Sequence, residues 1–295
     1  MRNVTSIASF KAAVLLAATL GAGAASAAGT VHYGLEAQYA PFEFKSASGE
    51  LQGLDVDIGN AVCAELKMKC EWTESSFDGI IPALQARKFD VINSAMNVTE
   101  KRRQIIDFTN IIYKVPTQLV AKAGIGLMPT PESLKGKNIG VLQGSTQETY
   151  AKAKWANNGV TVTTYQDQNQ IYTDLKSGRI DGTLVLSAAG QSGFLSKPDG
   201  AGYAFAGGPV NDDAILGSGI AFGVRKDDGA LKERLNKAIA NCRRTARSRR
   251  WQGNISAIST SLRSNPSLVA IRERRALRAA GAGNPLVDFI IFGLH

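Results

Sequence analysis

The stretch NIGVLQGSTQETYAKAKWANNGVTVTTY, residues 138–165, decides the fold class. Asn138 to Leu142 reads as a short strand, with Ile139, Val141 and Leu142 apolar. Gly144 turns the chain, and Gln147 to Lys154 has the length and composition of a helix. Val160 to Tyr165 alternates β-branched residues as a second strand does. A strand, a helix and a strand in close succession imply a mostly parallel sheet covered by helices. The rhythm extends in both directions. Downstream lie a helix from Asn169 to Ser177 and a strand from Ile180 to Leu184; upstream, Thr130 and Pro131 supply an N-cap and a proline at the first helical position. An earlier unit has the same form: a strand from Thr30 to Leu35, a helix from Asp55 to Leu66, a helix from Phe77 to Ala86 with Pro82 inside it, and a buried strand from Phe89 to Asn93. No low-complexity linker separates the two units, so short extended crossings must join them, near Lys114 to Thr117 and near Val210 to Gly219.

The first residues read as an export signal. Arg2 and Lys11 flank a short apolar run from Ala12 to Leu20, and Ala25-Ser26-Ala27 has the small residues that a signal peptidase reads. Such a run falls far short of the ~20 apolar residues that span a bilayer. A signal peptide of residues 1–27 is therefore expected, with the mature chain exported.

The formal charge of +9 is localised. Between Ala28 and Ala240 there are 22 Lys and Arg against 23 Asp and Glu, whereas the residues after Ala240 hold ten Arg, no Lys, one Glu and one Asp. A balanced body gives no footprint for nucleic acid, and none is expected as a partner. With His32 and His295 as the two histidines and three cysteines in all, no metal-ligating cluster, cofactor motif or Cys-His nucleophile pair stands out.

Cys63 and Cys70 are seven apart. On one continuous helix their Cα atoms would be ~10 Å apart, beyond the ~7 Å limit for a bridge. A disulfide therefore requires the helix to end between them, and Lys67-Met68-Lys69 breaks the stripe of Ile58, Val62 and Leu66 just there. An oxidising compartment favours the bridge over two free thiols.

Several phrases, in order and closely spaced, carry a resemblance: Tyr39-Ala40-Pro41-Phe42, Gly53-Leu54-Asp55-Val56-Asp57, Phe77-Asp78-Gly79-Ile80-Ile81-Pro82, Thr99-Glu100-Lys101-Arg102-Arg103, Gly140-Val141-Leu142-Gln143-Gly144-Ser145-Thr146-Gln147 and Ser177-Gly178-Arg179-Ile180-Asp181. Over residues 30 to 240 the chain resembles the lysine/arginine/ornithine- and histidine-binding proteins of solute-binding family 3. The resemblance implies a two-lobed α/β periplasmic binding protein of type II, joined by two crossings, with lobe I at 28–114, lobe II at 115–212 and a return to lobe I at 213–240. It further implies an amino-acid ligand, most simply a cationic one, delivery to an ABC importer permease, a periplasmic location, a monomer, and no catalysis.

The residues fit that chemistry. By resemblance Arg102 clamps the ligand carboxylate, since a guanidinium offers two parallel hydrogen bonds; read alone it is one of a solvated Lys-Arg-Arg run. Ser94 and Asn97 follow the Phe89 strand, while Leu142, Ser145, Thr146 and Gln147 line a strand-to-helix turn whose N–H groups favour an anion. Tyr39 and Phe77 match an aromatic pair that sandwiches the side chain, or are ordinary core aromatics. Glu36 and Asp55 match acidic positions facing a distal cation, although Asp55 could equally be a helix N-cap.

Two departures bear on the ligand. Leu186 stands where the family usually places an aspartate for the α-ammonium, and Ala95 replaces a usual serine. A neighbour such as Ser187 would then compensate, or the ligand would lack a free α-ammonium, as an opine does. A dehydratase of small carboxylic acids is the enzymatic alternative on this fold. After Ala240 the resemblance stops, and residues 241–295 form an atypical Arg-rich tail. Reading the third base of each codon with the first two of the next turns Asn241 to Ser261 into a sequence compatible with LPADGTLAKMAGKYFSYFDF, which resembles the family's closing helix and strand. A frameshift near Asn241 is thus expected, with poor packing from there to about Ala280.

Overall fold

The computed structural model describes residues 29–244. They form two α/β lobes, each built on a five-stranded sheet. In the first lobe the spatial order is Lys69–Glu74, Thr30–Leu35, Val91–Ile92, Gly223–Val224 and Asp107–Phe108. In the second it is Thr161–Tyr165, Asn138–Leu142, Gly182–Leu186, Thr117–Lys122 and Tyr203–Val210. Thr30–Leu35 pairs in parallel with both of its neighbours, and so does Asn138–Leu142.

One strand in each sheet runs against the rest, Gly223–Val224 in the first and Thr117–Lys122 in the second. Each is the strand delivered by a crossing. A chain entering a lobe from the cleft must run away from it, while the other strands bring their carboxyl ends toward it, where open α/β sheets hold ligands. The two crossings are joined side by side: Ile112 N–H donates to Ile220 O at 2.7 Å and Ile220 N–H to Tyr113 O at 2.8 Å. The return to the first lobe, expected from residue 213, comes later. The short helix Asp213–Leu216 packs on the second-lobe helix Thr146–Lys154, and Leu216 is buried in the core formed by Leu119, Ile139 and Trp155.

Other boundaries moved for local reasons. The expected helix at Phe77 begins at Ile80 and runs to Gln85, placing Pro82 in its first turn, where a missing N–H costs nothing. The strand expected from Ile180 is Gly182–Leu186, which carries Leu186 to the sheet's cleft end. The helix Leu54–Leu66 ends where Lys67 turns left-handed at φ 55°, and the Cys63–Cys70 disulfide closes over that corner with Cα atoms 5.9 Å apart.

The last helix among the described residues, Gly229–Arg244, packs on Leu54–Leu66. It buries Leu235, Ala238, Ile239 and Cys242, a helical stripe at positions i, i+3, i+4 and i+7. Asn241 donates to Glu65 at 2.9 Å, and Arg243 donates to the Ile111 and Ile112 carbonyls. Poor packing from Asn241 onward therefore does not hold for Asn241–Arg244, because the helical stripe continues through Cys242. The remainder of the tail, with the frameshift expectation, and the expected signal peptide lie outside the described residues.

Candidate functional site

The cleft between the lobes holds a cavity lined by Tyr39, Glu43, Phe77, Ala95, Asn97 and Arg102 from the first lobe, and by Leu142, Ser145, Thr146, Gln147 and Leu186 from the second. Nine of these eleven are sequence-predicted site residues; Glu43 and Ala95 are additional. Glu36, Asp55 and Ser94 do not reach the cavity and stand buried behind it.

Arg102 sits on the single-turn helix Glu100–Arg103, whose first turn is capped by the Thr99 hydroxyl accepting from Arg102 N–H. That cap aims Arg102 inward while Lys101 and Arg103 stay exposed, which removes the solvated-run reading. Its guanidinium donates to Asn97 O at 2.8 Å and, across the cleft, to Gly144 O at 3.0 Å, and lies 5.5 Å from the centre of the Phe77 ring. Burial lowers its pKa to about 10, still charged at neutral pH. Both of these hydrogen bonds go to backbone carbonyls, so a buried guanidinium in this cavity has the chemistry to take an anion.

Opposite it, the strand turn Asn138–Leu142 to Thr146–Lys154 presents neutral groups. Ser145 is the N-cap and accepts from Glu148 N–H; Thr146 accepts from Asn97 Nδ2 at 3.2 Å; Gln147 donates to Thr117 at 2.9 Å. Further bonds cross between the lobes from Gln143 to Asp78 at 3.0 Å, from Asn169 to Gln38 at 3.0 Å and from Leu186 N–H to the Tyr39 hydroxyl at 3.4 Å. The lobes are thus closed on each other. Gly144, at φ +76°, makes this approach possible: a Cβ there would lie 2.7 Å from Asp78 Cα.

The first lobe also carries a group of buried acids. Tyr39 pairs with Glu43 across the hairpin Gln38–Tyr39 to Glu43–Lys45, and Tyr39, Phe42 and Tyr113 stack in a row at 5.7 Å spacings. Tyr39 is therefore both a cavity wall and a core aromatic. Glu43 Oε1 accepts from Ser94 Oγ at 3.0 Å, and Ser94 Oγ accepts from Glu36 N–H at 3.0 Å. Asp55 is not an N-cap; Gly53 holds that position. Its carboxyl accepts from Tyr113 OH and from Ala95 N–H, both at 2.6 Å, and so fixes Ala95 at φ 42°, a left-handed conformation rare for a residue with a Cβ. Burial pushes the Glu36 carboxyl up to about 8 and Asp55 up to about 6, and holds Glu43 well above the usual carboxylate range. Asp167 adds to the first, and Asp55 and Glu36 to the last.

The sequence profile of the bacterial extracellular solute-binding proteins, family 3, matches residues 31–254. The chain belongs to that family. Its match runs past Ala240, where the resemblance was expected to stop. Among family members, the lysine/arginine/ornithine-binding periplasmic protein of Escherichia coli K12 is 44% identical over 214 residues, 72% of this chain and 82% of the relative. The histidine-binding periplasmic protein of the same strain is 43% identical over 213 residues, again 72% and 82%. A solved arginine-specific periplasmic binding protein of Salmonella typhimurium superposes with a TM-score of 0.71 at 33% identity, covering 77% of this chain and 98% of that one. These relatives are binding proteins, and their two-lobed fold is the fold of this chain.

Proposed function

We propose that this chain binds a cationic amino acid, lysine, arginine, ornithine or histidine, in the periplasm and delivers it, without chemical change, to the permease of an ABC importer. The observation that carries this reading is one cavity holding both a buried guanidinium, Arg102, and a buried carboxylate, Glu43, with apolar walls from Phe77, Leu142 and Leu186. An amino acid with a distal cation satisfies both ends, whereas a neutral side chain would leave the acid desolvated and unpaired. The names of the relatives support the same ligand class. Lobe closure on the ligand gives the permease a form to recognise. The working species is proposed to be a monomer, released by cleavage after Ala27.

A thermal-shift screen tests it. Ligand at 100 times its dissociation constant adds ~2.7 kcal/mol to stability. The four cationic amino acids should raise the melting temperature, and leucine, glutamate and glucose should not; glutamate as the strongest ligand would sink the reading. Incubation with prephenate or arogenate should yield no product.

A second reading has its own observation. Leu186, an apolar residue at the cleft end of its strand, lines the cavity and offers an ammonium nothing to donate to. A ligand whose α-nitrogen is substituted, such as an opine, would suit that wall better. Opines belong in the same screen.

A further inference from the structure

We propose that Glu43, rather than Glu36 or Asp55, is the carboxylate that receives the distal cation of the ligand and sets the preference for a cationic side chain. The inference rests on the cationic-ligand reading above and assigns its specificity to one residue. Three carboxyls cluster behind the aromatic row, but they differ in what they can still do. Both oxygens of Asp55 are engaged, by Tyr113 OH and by Ala95 N–H, and it does not line the cavity. Its task is to hold Ala95 in a left-handed turn. Glu36 has an Oε2 without a protein donor, as Glu43 does, but it does not line the cavity. Glu43 does: Ser94 orients Oε1, and Oε2 has no donor from the protein.

Among the described residues no group of three or more histidine, cysteine, aspartate or glutamate side chains is placed to hold a metal ion. Nor does a protein cation balance the cluster. The groups facing Glu43 are Asp55 from the helix Leu54–Leu66, Glu36 from the end of Thr30–Leu35, Ser94 from the next strand end, Tyr39 on its own hairpin and Tyr113 on the crossing. All are neutral or acidic. Burial, with Asp55 and Glu36 nearby, holds the Glu43 carboxyl well above the usual carboxylate range. Without ligand it therefore keeps its proton at neutral pH, and the arriving cation replaces that proton, which leaves to solvent.

Arginine and citrulline are the probes, because citrulline keeps the shape and loses the charge. Calorimetry on the full chain, in two buffers of different protonation enthalpy, gives affinity and proton count together. Glu43→Gln should weaken arginine at least about tenfold while moving citrulline less than about threefold, the loss of one charge-assisted bond. Glu43→Asp should keep the arginine preference. The unmodified protein should release protons on binding arginine near neutral pH and few on binding citrulline, a readout that needs no variant to fold. An arginine-to-citrulline ratio unchanged in Glu43→Gln but lost in Glu36→Gln would overturn the assignment and leave the cationic-ligand reading intact. A wild-type protein that binds no cationic amino acid would overturn both.

Discussion

The two lobes meet the ligand with different chemistry. The ionisable groups lining the cavity, Arg102, Glu43 and the Tyr39 phenol, all stand on the first lobe, whereas the second lobe contributes Leu142, Ser145, Thr146, Gln147 and Leu186, none of them ionisable. The first lobe carries the cost of burying ionisable groups, and under the proposed function it is where the choice of ligand would reside. The second lobe contributes shape, hydroxyls and a backbone carbonyl, that of Gly144, which Arg102 reaches across the cleft. A ligand held first by the charges of one lobe and then covered by neutral groups of the other fits closure by population shift, in which differential contact favours the closed form. The contrast implies that changes in the first lobe should outrank changes in the second.

The largest effect should be on stability and its pH dependence. Glu36 rises from an ordinary carboxylate value to about 8 in the fold, and Asp55 to about 6. A raised carboxyl keeps its proton in the native state after the unfolded chain has lost it. The native state then binds more protons, and stability falls as pH rises from ~4.5 towards 8. The unliganded protein should therefore be more resistant to urea at pH 5 than at pH 8. Glu36→Gln should reduce that slope, leaving the share of Asp55 and Glu43, and gain on the order of a few kcal/mol at pH 8, with little change at pH 4. Asp107, Asp174 and Asp212 are pulled down by lysine and arginine partners, so they act at the acid end and do not mask the window. Urea midpoints across pH decide it; a wild-type profile rising between pH 5 and 8 would show that these acids are not strained by the fold.

Next in size is Arg102→Lys. A point charge replaces a fork that reaches Asn97 O and Gly144 O and lines the cavity. Binding of any carboxylate ligand should weaken more than tenfold, by ~1.5–3 kcal/mol for a charge-assisted bond. Calorimetry giving unchanged affinity would place ligand recognition elsewhere in the cleft.

How far the sequence alone reaches differs between the lobes for the same physical reason. The second lobe was readable because its part of the cavity is one local turn: strand, Gly144, the Ser145 cap and helix follow in order, and Leu142, Ser145, Thr146 and Gln147 line the cavity together. The Cys63–Cys70 corner was legible likewise, being closed by residues seven apart. In the first lobe the site is assembled over long separations. Ser94 meets Glu43 across 51 positions, and Tyr113 meets Asp55 across 58. Nothing beside Glu43 in the chain announces that contact; the usable signal was its register opposite Tyr39 in a tight hairpin. Asp55 looked like a cap because a Gly-Leu-Asp phrase opens the helix, but Gly53 takes that place and frees the carboxyl for Tyr113. Arg102 was ambiguous because burial of one arginine among three basic neighbours is decided by tertiary packing, not by composition.

The smallest expected effect tests the second lobe. Gly144→Ala adds one methyl group at φ +76°, where a Cβ would sit 2.7 Å from Asp78 Cα in the first lobe. Two costs follow, and they separate. The left-handed conformation costs ~1 kcal/mol for a residue with a Cβ, whether the lobes are open or closed. The contact with Asp78 arises only when they close. Gly178 supplies the control: it has φ +74° at the end of the helix Gln168–Ser177, and a Cβ there meets nothing within 4 Å. Gly178→Ala and Gly144→Ala should therefore lose similar stability without ligand, on the order of 1 kcal/mol. Only Gly144→Ala should lose affinity, about three- to tenfold, because the closed form alone carries the clash. Melting temperatures of the unliganded variants and calorimetric affinities for lysine or arginine separate the two costs. Equal affinities in the two variants would mean that the lobes close without bringing residue 144 against Asp78, and that the neutral lobe adapts to the ligand instead of meeting a fixed surface.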